Sequence, residues 1–126
     1  MLHITDLPGT VWGATDGRAI LLDAKLLQVE RRCTLAHELE HIRRGHTGCQ
    51  PPAIEAAVEA AAARWLLPEP RAVADALVWA GMDLHLAADH LWVDVDTLAA
   101  RLDPKHLHPA ERAIIVAHVT EHQASA

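Results

Sequence analysis

Between Pro52 and Pro68 the chain reads PAIEAAVEAAAARWLLP, with seven alanines and no glycine. Alanine is the strongest helix former, and proline suits the first turn of a helix but stops one that runs into it. The stretch predicts a helix from about Pro52 to Leu67. Its alanine face lets a neighbouring helix approach closely. Glu55 and Glu59 interrupt it four residues apart, so on a helix they share one face. An unpaired buried carboxylate is costly. The pair is therefore either a solvated acidic stripe or part of a site that brings positive charge to it.

Residues 37–41 offer such a site: they read His-Glu-Leu-Glu-His. The spacing of His37 and His41 stacks two imidazoles on one helical face, where they can bind one zinc ion. Glu38 lies beside them and can reach a water at the metal, the place of a catalytic base. In a chain with 10 histidines the pattern arises by chance about 0.05 times. It gains weight from the two glutamates downstream. Either could be the third ligand, while the other accepts the free ring N–H of a ligating histidine and fixes its tautomer. His46 and Cys49 are weaker alternatives for the third ligand. The long metzincin motif does not apply, because Arg44 stands at its glycine position and Thr47 at its third histidine. Cys33, one turn before His37, reads as a packing residue.

The remaining chain frames these helices. Thr10–Ala14 and Arg18–Asp23 flank Thr15-Asp16-Gly17, a hairpin signal in an extended N-terminal part. The zinc-binding helix is expected from about Glu30 to Arg44, with Gly45 at its end. Shorter helices are expected over Arg71–Trp79, Leu84–His90 and Thr97–Leu102, and a last one from Pro109 to about His122. A length of 126 residues fits one domain, and 51% hydrophobic residues fit a globular fold. The net charge of −6 argues against broad binding to nucleic acid or anionic membranes. No apolar run approaches the ~20 residues of a membrane span, and the N-terminus does not read as a signal peptide. Two cysteines make no disulfide framework. A cytoplasmic location is the expectation.

At this point the residues resemble the ImmA/IrrE family of small gluzincin-type zinc peptidases. RRCTLAHELEHIRRGH, from Arg31 to His46, is similar to the family's zinc-binding segment. EAAVEAAAARWLLP, from Glu55 to Pro68, is similar to its second motif. DLHLAADHLWVDVDTLAARL, from Asp83 to Leu102, resembles the helix-turn-helix-like segment that follows. The resemblance covers about Val11 to Asp103. It implies an α+β fold, mainly helical, with a short N-terminal β-sheet packed on a zinc-binding helix pair. It also implies Glu55 as third ligand and Glu59 as its companion. It implies a protein partner too, since such proteins typically cleave or relieve a DNA-binding repressor. Departures are Glu40 at a position often Gly, Ala61 where an aromatic is common, and Glu59 in place of Asp or Asn.

The expected function is zinc-dependent hydrolysis of a peptide bond in a protein partner, a transcriptional repressor or antitoxin. Two rival readings are a catalytically silent zinc protein that sequesters a repressor, and a DNA-binding regulator using residues 83–103. The last is disfavoured, because that segment carries five aspartates against one basic residue, Arg101. Leu84, Leu86, Leu91, Leu98 and Leu102 are expected to pack it on the zinc domain or to dock a partner. No residue is singled out for the oxyanion; His85, His90, His106, His108 and His118 qualify by type alone.

Overall fold

The structure, a computed structural model, describes residues 1–124. Strand β1 (Leu2–Thr5) opens the chain, followed by β2 (Gly13–Thr15) and β3 (Ile20–Asp23). The expected hairpin is β2–β3, antiparallel, with Ala14 opposite Leu21. Asp16 builds its turn by accepting hydrogen bonds from the backbone N–H groups of Arg18 and Ala19, each 2.9 Å. The strands are shorter than the sequence suggested. β1 adds itself parallel to the other side of β3, giving a three-stranded sheet of order β1-β3-β2. Its pairing is non-local, and its side chains are all exposed, so no burial pattern announces it.

The buried face of β3 (Ile20 and Leu22) packs with Leu26 against Leu35 and Ile42 of helix α1 (Gln28–Arg43). Glu30 closes the start of α1 by accepting the N–H of Leu27 at 2.9 Å. At its end Gly45 takes φ +79°, a left-handed conformation that glycine adopts without cost. The N–H groups of Gly45 and His46 then bond back to the carbonyls of Ile42 and His41, both at 2.9 Å. This is a Schellman closure, and it folds His46 back alongside His41. Over α1, strand β2 lies so close that a Cβ on Gly13 would meet Thr34 Cγ2 at 2.6 Å. Only glycine fits there.

Helix α2 (Pro52–Leu66) packs along α1, as its alanines foretold. Helices α3 (Pro70–Trp79), α4 (Leu84–Leu91), α5 (Val95–Leu102) and α6 (Pro109–Ala124) complete the fold. α3 packs on α6 and α4, and α5 on α2 and α4. The main core draws on helices α1 and α3–α6, from Cys33 through Val73, Ala88 and Leu98 to Ile115. The molecule is thus mainly helical, as expected, with a short N-terminal three-stranded mixed sheet packed against α1 of the helix pair. No helix among the described residues is long and apolar enough to cross a membrane.

The acidic segment 83–103 is α4, a turn and α5. Two of its aspartates are helix caps: Asp83 accepts from Leu86 N at 3.1 Å and Asp94 from Thr97 N at 2.7 Å. Leu98 is fully buried and Leu91 and Leu102 pack against the core, whereas Leu84 and Leu86 stay exposed. The segment is therefore built into the core through three of the five expected leucines.

Candidate metal centre

α1 and α2 cross where their polar residues face each other. From α1, His37 and His41 present their Nε2 atoms 3.2 Å apart. From α2, Glu55 Oε1 stands 3.2 Å from His37 Nε2 and 3.0 Å from His41 Nε2. The residues form a compact group able to hold a metal ion. Ligands about 2.0–2.1 Å from a tetrahedral ion lie about 3.3 Å from one another, so this triangle has the right size.

The chemistry of the three atoms fits as well. His37 Nδ1 donates its hydrogen to Glu59 Oε2 at 2.7 Å. His41 Nδ1 lies 2.9 Å from His46 Nδ1, and as donor it leaves His46 the acceptor. With each Nδ1 carrying the proton, both Nε2 atoms present lone pairs toward the carboxylate oxygen. Three acceptors converge with no hydrogen to share, an arrangement that a cation satisfies. Glu55 itself is aimed by a loop, since its Oε2 accepts the N–H of Gln50 at 2.9 Å.

The titration tendencies follow from this crowding. Burial disfavours charging His37, but the hydrogen bond and charge of Glu59, with Glu38 and Glu55 behind, raise its pKa above the usual imidazole value. Partial burial opposes ionisation of Glu55, yet the Gln50 amide and the two histidines lower its pKa. Burial dominates at Glu38 and raises its pKa, against the pull of His37 and His41. Glu38 is 7% exposed and takes no hydrogen bond among the described residues.

The structure thus gathers His37, His41, Glu55 and Glu59, with Glu38 beside them. It moves His46 out of the running as a ligand and makes it the partner of His41, a role that spacing alone did not disclose. The readable signal was Gly45, whose turn brings His46 back. Cys49 is a free, exposed thiol on the wall of an adjacent cavity, outside the ligand group. Cys33 is buried and accepts a hydrogen bond from Asp94 N at 3.4 Å. His85, His90, His106, His108 and His118 line neither cavity at the site. His90 instead stacks on Trp79 and His118 pairs with Asp75.

Two cavities meet at these residues. One of about 270 Å³ runs past Trp12 and Thr34, the other of about 420 Å³ past Thr15 and Gln50. Gly13, His37 and Glu38 line both, so the cleft passes on either side of the site. No protein-family model, curated protein or solved structure matches the chain.

Proposed function

We propose that this chain is a zinc-dependent peptidase that cuts a protein partner, a DNA-binding repressor or antitoxin. The observation that carries the reading is the convergence of His37 Nε2, His41 Nε2 and Glu55 Oε1 beside the buried carboxylate of Glu38. Three protein ligands of this kind leave a coordination position free for chemistry. When bound, zinc supplies Lewis acidity toward water and toward a carbonyl oxygen. Glu38 takes the proton from the attacking water and returns it to the leaving amine. Glu59 and His46 keep the two imidazoles in the tautomer and orientation that binding requires. Burial keeps Glu38 dry and basic enough for the exchange. The partner class rests on the resemblance to the ImmA/IrrE peptidases.

The test is incubation of the zinc-loaded protein with a candidate DNA-binding regulator, chosen by asking whether a repressor or antitoxin gene neighbours its own. Wild type should cut it at one position. Glu38→Gln should keep its zinc and lose about 10²–10⁴-fold in rate, the usual share of a general base. Equal turnover by the two proteins removes Glu38 from the mechanism. A zinc-loaded wild type that binds the regulator without cutting it favours the sequestering role instead.

A further inference from the structure

The cavity of about 270 Å³ beside the site is lined by carboxylates of which hydrolysis uses only Glu38 and Glu59. Glu38, Glu59, Asp94 and Asp96 line it, and no lysine or arginine does. Two of these carboxylates have structural partners: Glu59 holds His37, and one oxygen of Asp94 caps α5. Asp96 is exposed and makes no hydrogen bond or ion pair among the described residues. Glu38, more than nine-tenths buried, faces the same space without a hydrogen bond. Arg32, on the same helix as Glu38, is engaged elsewhere: it bonds the carbonyl of Trp92 at 2.5 Å and lies over its ring. The same cavity is lined by Val11 and Trp12, 43% and 39% exposed.

A cavity that brings Val11 and Trp12 together with Asp94 and the unpaired carboxylate of Asp96 suits an amphipathic cation. We propose that this cavity is the subsite for an arginine or lysine side chain of the substrate polypeptide, with Asp96 as the residue that selects it. The inference rests on the peptidase reading, which sends an extended chain through the cleft. A basic stem packs along Val11 and Trp12 while its head meets Asp96 and Asp94. Arginine gains most, since its planar guanidinium can stack on an indole and fork to a carboxylate. The substrate class follows. A DNA-binding regulator concentrates Lys and Arg on the surface that neutralises phosphates, so the acidic cleft draws in a segment that DNA otherwise covers.

The test is titration of the full-length protein with three N-acetylated, amidated pentapeptides, Ala-Ala-X-Ala-Ala, where X is arginine, citrulline or glutamate. Citrulline keeps the shape of arginine and removes its charge. Binding is read from the Trp12 indole N–H resonance, assigned with Trp12→Phe. Peptide integrity and zinc content are measured on the same samples. The arginine peptide should bind about fivefold tighter than the citrulline peptide, the scale of one exposed ion pair. Asp96→Asn should erase that preference, and Asp96→Lys should transfer it to the glutamate peptide. Equal binding of all three peptides, a preference unchanged in Asp96→Lys, or no shift of Trp12 at millimolar peptide each overturn the subsite. The two proposals fail separately. Zinc bound without arginine preference removes the subsite alone, and arginine preference without zinc removes the peptidase reading alone.

Discussion

Two clusters of charged side chains in this molecule are built on opposite principles. In the first, Arg101 of α5, 2% exposed, donates from Nε to the carbonyl of Leu67 at 2.7 Å and from its terminal nitrogen to Glu111 at 2.5 Å. The other oxygen of Glu111 accepts from Arg64 at 2.5 Å. Donors meet acceptors throughout, and the set ties α2, α5 and α6 together. In the second, two imidazole nitrogens and a carboxylate oxygen point at one another within 3.2 Å, and the hydrogens that could have relieved them are held outside by Glu59 and His46. A protein gains nothing in stability from such a cluster alone. The closed cluster satisfies its own charges; the open one forms a group that could hold a cation.

Breaking the closed cluster should have the largest effect. Glu111→Gln leaves Arg101 buried without its carboxylate, a change that typically costs about 3–5 kcal/mol. That is a large part of the ~5–15 kcal/mol by which domains are stable. Denaturant unfolding should show the loss with and without zinc. The wild-type cluster also predicts an acid limit. The Arg101 and Arg64 guanidiniums hold Glu111 at a pKa of about 2, below the ordinary 4.5. A depressed carboxylate stabilises the fold at pH above its unfolded value and loses that contribution as pH falls through its folded one. Stability measured in the presence of chelator should therefore decline between pH 4.5 and 2, and the decline should be shallower in Glu111→Gln, which lacks the share due to this carboxylate.

The open cluster should respond to metal, not to its own residues. Chelation should lower the unfolding free energy by about 4 kcal/mol relative to protein held in free zinc a thousandfold above Kd. In Glu55→Ala the same comparison should give no difference. The two clusters share no residue, so the deficits of Glu111→Gln and of chelation should add. A strong interaction between them would break the contrast.

A smaller effect sharpens the account of the ring orientation. His46→Ala and Glu59→Ala each remove the group that holds an Nδ1 hydrogen. Each should weaken zinc binding about 10–100-fold without abolishing it. Cys49→Ser, on the cavity wall but outside the ligand group, should leave affinity unchanged. Equal affinity in all three variants would mean that Glu59 and His46 do not orient the ligands.

What the sequence revealed divides along the same line. The open cluster was legible because its residues sit at helical spacing, His37 with His41 and Glu55 with Glu59, where period alone puts each pair on one face. The hairpin was legible through Asp16-Gly17, and the α1–α2 packing through the alanines from Ala53 to Ala63. The closed cluster was not, since Arg64, Arg101 and Glu111 come from three helices and look like ordinary surface charges in the chain. The parallel pairing of Leu2–Thr5 with β3 was missed for the same reason: it depends on a partner distant in sequence. His46 lay between the two cases. Its spacing raised it as a ligand, and only the left-handed turn at Gly45 shows that it supports His41 from behind.

α1 and α2 together should hold one metal ion. Zinc titration of metal-stripped protein, followed by metal analysis after gel filtration, tests it directly in wild type, His37→Ala, His41→Ala and Glu55→Ala. Wild type should hold one zinc per chain, each variant should lose it under the same conditions, and Glu38→Gln should retain it. Zinc retained equally by all four proteins, or absent from wild type at saturating metal, would contradict it.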